Sequence, residues 1–182
     1  MIFAPDIEAS LHSVVNLLNT EVQVVDMLST VQDLDEFLAA EGFTGPRAGN
    51  QAELRSIRQL RAQLKGIWTG TEDEAVFHVN QILRNANAQP QLVKSGQLGY
   101  HLHATTTSTP LYDRMAVDAA MALAEVIRDS GLSRLRICAS SDCQAALLDL
   151  SRNRSKRFCD TGNCANREHV RAYRARKSAN HG

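Results

Sequence analysis

Four cysteines stand in two close pairs, Cys138-Ala139-Ser140-Ser141-Asp142-Cys143 and, fifteen residues on, Cys159-Asp160-Thr161-Gly162-Asn163-Cys164. Thiolates paired in this way suit a tetrahedral zinc ion, whose sulfur ligands sit ~2.3 Å from the metal. Four thiolates leave no open coordination position, so Cys138, Cys143, Cys159 and Cys164 would hold one structural zinc ion rather than a catalytic one. The segment carrying them is too short to build a stable core alone, and structural zinc can supply on the order of 10 kcal/mol of folding free energy. Two disulfides would need an oxidising compartment, and the opening Met1-Ile2-Phe3-Ala4-Pro5-Asp6 lacks the basic region and apolar stretch of a secretory leader. A redox dithiol favours Cys-x-x-Cys. An iron–sulfur cluster also accepts four cysteines, but the paired spacing and basic surroundings favour zinc.

Basic residues flank the second pair. Arg152, Arg154, Lys156 and Arg157 precede it, and a helix expected to start near Thr161–Asn163 carries Asn166, Arg167, Arg171, Arg174, Arg176 and Lys177. At helical spacing Arg167, Arg171 and Arg174 fall within an arc of ~60°. Val170 and Tyr173 occupy a neighbouring arc, where they are expected to pack on the metal unit. Such a ridge is a phosphate-binding surface in electrostatic terms, and arginine also offers a fork for guanine edges. A solvated basic helix end is the simpler alternative. The charge balance bears on the choice. The chain is neutral overall, yet residues 1–130 hold nine basic and sixteen acidic side chains, and residues 131–182 eleven and four. An acidic part carrying −7 is thus joined to a tail carrying +7, with a boundary expected near Gly131.

The elements that must position these groups read as mainly helical. Ile7, Leu11, Val14, Val15 and Leu18 mark a helix over about 6–19. Thr30 with Asp33, Asn50 with Glu53, and Thr71 with Glu74 open three more. Residues 91–94 and 100–104 flank a Gly-containing stretch and predict a short hairpin. Thr109-Pro110 predicts a cap with proline at the first helical position of a long helix that ends at Gly131. Ala145–Leu150 reads as a strand between the cysteine pairs. The expected architecture is an N-terminal helical domain with a short β-hairpin over 1–130, joined to a small α+β, treble-clef-like zinc module over 131–182. No apolar run approaches the ~18 residues of a membrane span, so a soluble cytoplasmic protein is expected.

Leu135-Arg136-Ile137-Cys138-Ala139, Asp142-Cys143, Leu150-Ser151-Arg152-Asn153, Arg157-Phe158-Cys159 and Cys164-Ala165-Asn166-Arg167 with Val170-Arg171 and Tyr173-Arg174 together resemble the CGNR zinc finger. Leu18-Asn19-Thr20, Asp26-Met27-Leu28, Asp33-Leu34 and Phe37-Leu38 resemble the ABATE domain that accompanies that finger. The resemblance implies a zinc-bearing, stress-linked bacterial transcription regulator directed to double-stranded DNA. The family motif has Gly after its last cysteine where this chain has Ala165, a residue that is tolerated unless φ must be positive.

Three function classes follow. The first is a DNA-binding regulator whose helical domain senses an effector or partner or joins two copies in a homodimer. Asn19, Thr20 and Asp26 are its candidate ligand-binding residues, although caps and turns use the same residue types. The second is a zinc-stabilised protein–protein interaction module without direct DNA binding. The third, a nuclease, is disfavoured because His169 has no clustered carboxylates around it, so no enzyme is expected. His101 and His103 alternate on one strand face and could suggest a metal pair, but without a carboxylate pattern nearby in the sequence two polar residues on an exposed strand face are the simpler reading.

Overall fold

The computed structural model describes residues 3–22, 25–95 and 99–179. Helix α1 (Pro5–Asn19) is followed by a two-residue ladder of β1 (Glu21–Val22) and β2 (Val25–Asp26). Then come α2 (Val31–Ala40), α3 (Gln51–Thr69), α4 (Glu72–Asn85), the hairpin β3 (Gln91–Ser95) and β4 (Gly99–His103), and α5 (Leu111–Arg128). A single 3₁₀ turn, Leu132–Arg134, leads into β5 (Leu135–Ile137), β6 (Ala146–Leu148) and α6 (Cys164–Ala179). The chain is mainly helical with short antiparallel hairpins, as its periodicity predicts. No helix among the described residues is long and apolar enough to cross a membrane.

Local chemistry starts the helices. Thr30 Oγ1 accepts from Asp33 N while the Asp33 carboxylate accepts from Thr30 N, a reciprocal cap repeated at Thr71 and Glu74. Asn50 caps α3 by accepting from the amides of Ala52 and Glu53, but Glu53 reaches back to the amides of Ala48 and Gly49 instead. The start of α5 differs from expectation. Pro110 itself occupies the capping position, and Thr109 Oγ1 accepts from the amide of Thr106 in the preceding turn. The loop expected across 96–98 lies outside the described residues.

The core is built from the apolar stripes of α1 to α5. Leu11, Leu34, Ile57, Leu60 and Leu123 have no exposed surface. Ala116, Ala119, Ala120 and Ala122 give α5 a narrow face that lets its neighbours approach closely. The β5–β6 hairpin shares this core. Ala146 and Leu148 point into the helices, while Leu147 between them joins Cys138, Ala145, Cys159 and Cys164 in a second cluster. Strand β6 is therefore buried on both faces, one against helices and one against sulfur, which follows from the period of two along a strand.

Candidate metal centre and basic surface

Cys138 follows β5, Cys143 lies in the β5–β6 connection, Cys159 lies late in the long loop between β6 and α6, and Cys164 is the first residue of α6. The four sulfurs lie within 4.8 Å of one another, with Cys143–Cys159 and Cys159–Cys164 both at 3.7 Å, and no disulfide forms. A tetrahedron with arms of ~2.3 Å has edges of about 3.8 Å, so these sulfurs already sit where one zinc ion needs them. Three of the cysteines are buried and Cys143 is half-buried. Donors point at the sulfur cage: Cys159 N at Cys138 Sγ (3.5 Å), Thr161 Oγ1 at Cys159 Sγ (3.2 Å) and Arg167 Nη2 at Cys164 Sγ (3.3 Å). Burial and the adjacent thiols push the Cys164 thiol up to about 12. Burial also opposes ionisation of Cys159, but donors led by the Thr161 hydroxyl outweigh it and bring that thiol down to about 7. The residues fit one structural zinc ion, which would tie the β5–β6 hairpin to α6.

Zinc anchors only the start of α6. Arg167 and Arg171 reach back to Asp142 at 3.0 and 2.7 Å, and Glu168 accepts from Ser140 Oγ and pairs with Arg171. The Ser140 hydroxyl and these two guanidinium groups hold the Asp142 carboxyl well below the usual carboxylate range. The remaining face of the helix packs on nothing described. Val170 is 39% and Tyr173 61% exposed, against the expectation that they pack on the metal unit. Among the described residues no element stands opposite that arc. Ala165 lies in the right-handed helix with no positive φ, so alanine meets no strain there.

The loop from Asp149 to Arg157 is ordered by contacts the sequence reading did not single out. Asp149, fully buried, accepts from Ser151 N, Ser151 Oγ and Lys156 N and sits 3.5 Å from Arg136 Nη1. Its burial favours the neutral acid, but these donors prevail and lower its pKa. Arg134 donates to the carbonyls of Asp149 and Ser151, and Arg136 to those of Arg154 and Lys156. A signal existed, since Asp149 is the one carboxylate between Cys143 and Cys159. The basic side chains then divide. Arg154 binds Ser133 Oγ, Lys156 pairs with Asp160, and Arg157 lies over the Phe158 ring. Arg152, Arg157, Arg174 and Arg176 are exposed and form no ion pair among the described residues. Asn166 is exposed as well.

Asn19, Thr20 and Asp26 are not among the residues lining the cleft between α1, the β3–β4 hairpin and α5, and their polar atoms bond within the chain. Asn19 behaves as a short third strand beside β6, donating from Nδ2 to Ala146 O (3.0 Å) and accepting at Oδ1 from Ala146 N (2.8 Å). Thr20 Oγ1 donates to Leu17 O and accepts from Arg61 Nη1. Arg61, 4% exposed, forks onto both oxygens of Asp26 at 2.7 and 2.8 Å. Trp68 Nε1 donates to Arg136 O (2.9 Å). Each strand of the metal hairpin is therefore bonded by one side chain from the helices, Trp68 on β5 and Asn19 on β6.

A search of curated proteins returned no match to this chain. The family model for the CGNR zinc finger matches residues 134–177, which contain all four sulfurs, the 149–157 loop and nearly all of α6. The ABATE model, described as "Putative stress-induced transcription regulator", matches residues 11–130, the helices and the network around Asn19, Arg61 and Asp26. With that second match spanning more than half its length, the chain belongs to the ABATE family and ends in a CGNR zinc finger.

Proposed function

We propose that the protein is a cytoplasmic transcription regulator that binds double-stranded DNA through its zinc-held basic surface, while the helical domain receives an effector or a partner. The observation that carries this reading is a set of exposed guanidinium groups with no counter-charge among the described residues, set around the sulfur cluster. Arg152 and Arg157 project from the loop fixed by Asp149, and Arg174 and Arg176 from the free length of α6. With +7 on residues 131–182, that surface attracts a polyanion, while the −7 of residues 1–130 keeps the helical part off it. Arg167 and Arg171 play a different part in this reading. They orient α6 through Asp142, and a phosphate would have to compete with that carboxylate for them. The family's association with transcription supports a DNA partner. Binding to duplex DNA measured across salt concentrations tests it. The logarithm of affinity should fall against that of salt by about 0.9 for each phosphate neutralised. Affinity indifferent to salt would refute the reading.

The exposed Val170 and Tyr173 favour a second reading, in which α6 docks an acidic protein partner with an apolar spot. Capture of partners from extract with and without nuclease separates the two. A DNA-directed regulator loses its co-purifying material when nucleic acid is digested, and a docking module keeps it.

A further inference from the structure

Helix α1, the β3–β4 hairpin and α5 enclose a cleft of about 1330 Å³ on the helical part of the molecule. That is larger than the ~300–1,000 Å³ of a small-molecule site and leaves room for one face of a folded segment. Its walls combine two features. The first is apolar: Leu92 and Leu102 are paired across the hairpin and exposed, with Tyr100 two residues along the same face, and Phe3, Ile7 and Phe43 line the cleft from α1 and the α2–α3 loop. The second is acidic, for carboxylates outnumber guanidinium groups in the lining by five to two. Both guanidinium groups are already engaged, Arg114 with the carbonyls of Thr44 and Pro46 and Arg128 with Glu125. The side chains of Asp6, Asp118 and Asp129 form no hydrogen bond or ion pair among the described residues. Burial raises the pKa of Asp118, against the charges of His103, Arg114 and His101. Asp129 stands at the C-terminal cap of α5, where the helix dipole disfavours a negative charge. A cationic partner relieves both costs. The walls call for a segment that is apolar and basic at once.

We propose that this cleft receives helix α6 of a second copy of the chain. At helical spacing Tyr173, Lys177, Val170 and Arg174 fall within an arc of ~100°, so apolar and cationic side chains share one stripe. Arg167 and Arg171 lie beside that stripe and turn to Asp142. Val170, Tyr173 and Arg174 are exposed, and Arg174 forms no ion pair among the described residues. No residue after Asp129 lines the cleft, so a chain does not fill it with its own α6. Charge decides the occupant. Each copy carries −7 on residues 1–130 and +7 on residues 131–182, so the acidic part of one attracts the tail of another. Two copies that exchange α6 close into a pair, whereas copies joined in one direction extend into a chain. The inference rests on the reading of α6 as a docking surface and names its partner, a partner it could lack while still docking some other protein. Seated in the cleft, Tyr173 and Arg174 are covered, and the associated form withholds Arg174 from DNA.

The test is sedimentation of the pure, zinc-loaded full chain with no DNA and no other protein present, so its outcome is separate from capture of partners out of extract. At about 0.1 M salt the mean mass should rise above that of one copy between about 5 and about 200 μM protein, and at about 1 M salt, where the screening length falls from ~10 to ~3 Å, association should weaken by at least about 10-fold. Two double variants assign the surfaces. Tyr173→Glu with Arg174→Glu reverses the stripe, and Leu92→Arg with Asp129→Arg reverses the cleft wall; all four positions are exposed. Each variant alone should remain a single copy over the whole range and keep its zinc and its urea midpoint. An equimolar mixture should associate again, because the altered stripe then meets the altered cleft and the native stripe meets the native one. An unaltered chain that stays a single copy at the highest concentration overturns the proposal, even if a variant fails to fold. Association that both variants retain, or a mixture of folded variants that does not associate, overturns it as well.

Discussion

Replacing Asn19 by Ala tests the joint between the helices and the zinc unit. The Asn19 side chain is buried and makes two bonds to one residue, so its loss strands both the amide and the carbonyl of Ala146 in the space between α1 and β6. A buried backbone group left without a partner costs roughly 1–3 kcal/mol, and two such groups with some relaxation should cost about 3 kcal/mol. Urea unfolding of the zinc-loaded protein is the assay. With a slope of about 2 kcal/mol/M for a chain of this size, the midpoint should fall by roughly 1.5 M. Zinc stoichiometry should not change, because no sulfur is touched. Asn19→Asp keeps the acceptor for Ala146 N but sets a carboxylate against Ala146 O, and should be no better than alanine. A loss below about 0.5 kcal/mol, the level of ordinary surface changes, would refute the claim that this residue bolts the two parts together.

Cys159→Ser removes the sulfur that stands between Cys143 and Cys164, and metal analysis should then find no tightly held zinc; full retention would overturn the ligand assignment. Exchanging Arg152 and Arg174 together for Ala should lower the salt slope of DNA binding by about 1.8, whereas Arg171→Ala should weaken binding with little change in slope. A fall of about 0.9 in the slope of the Arg171→Ala variant would mean that Arg171 meets phosphate directly. Stability should also fall in acid through Asp26, whose folded pKa is lowered chiefly by the Arg61 hydrogen bond. That contribution is complete above the unfolded carboxylate value of about 3.9 and disappears as pH drops through the lower folded value. An Asp26→Asn variant should show a flatter acid limb in its stability–pH curve, and an unchanged limb would rule the pair out as its source.

Features decided within a few residues were legible in the sequence. The caps at Thr30 and Thr71 and the spacing of the four cysteines need only local chain geometry, and each stands where it was expected. Features set by distant partners were not. Asn19 and Ala146 are 127 residues apart, so the polar residue after α1 looked like a turn or a ligand contact rather than a rivet. Asp142 and Arg171 are separated by a loop, a strand and the second cysteine pair, so helical periodicity put Arg167 and Arg171 on a phosphate-facing ridge without showing that a carboxylate already faces them. Val170 and Tyr173 mark the apolar arc of α6, but periodicity gives the direction of a face and not what lies opposite.

The most direct test of a zinc-built DNA-binding surface is to titrate zinc into reduced, metal-free full-length protein while following duplex DNA binding at low salt. Binding should rise in step with metal and reach its plateau at one equivalent on the cysteines. DNA affinity that is the same before and after zinc is added would contradict the account.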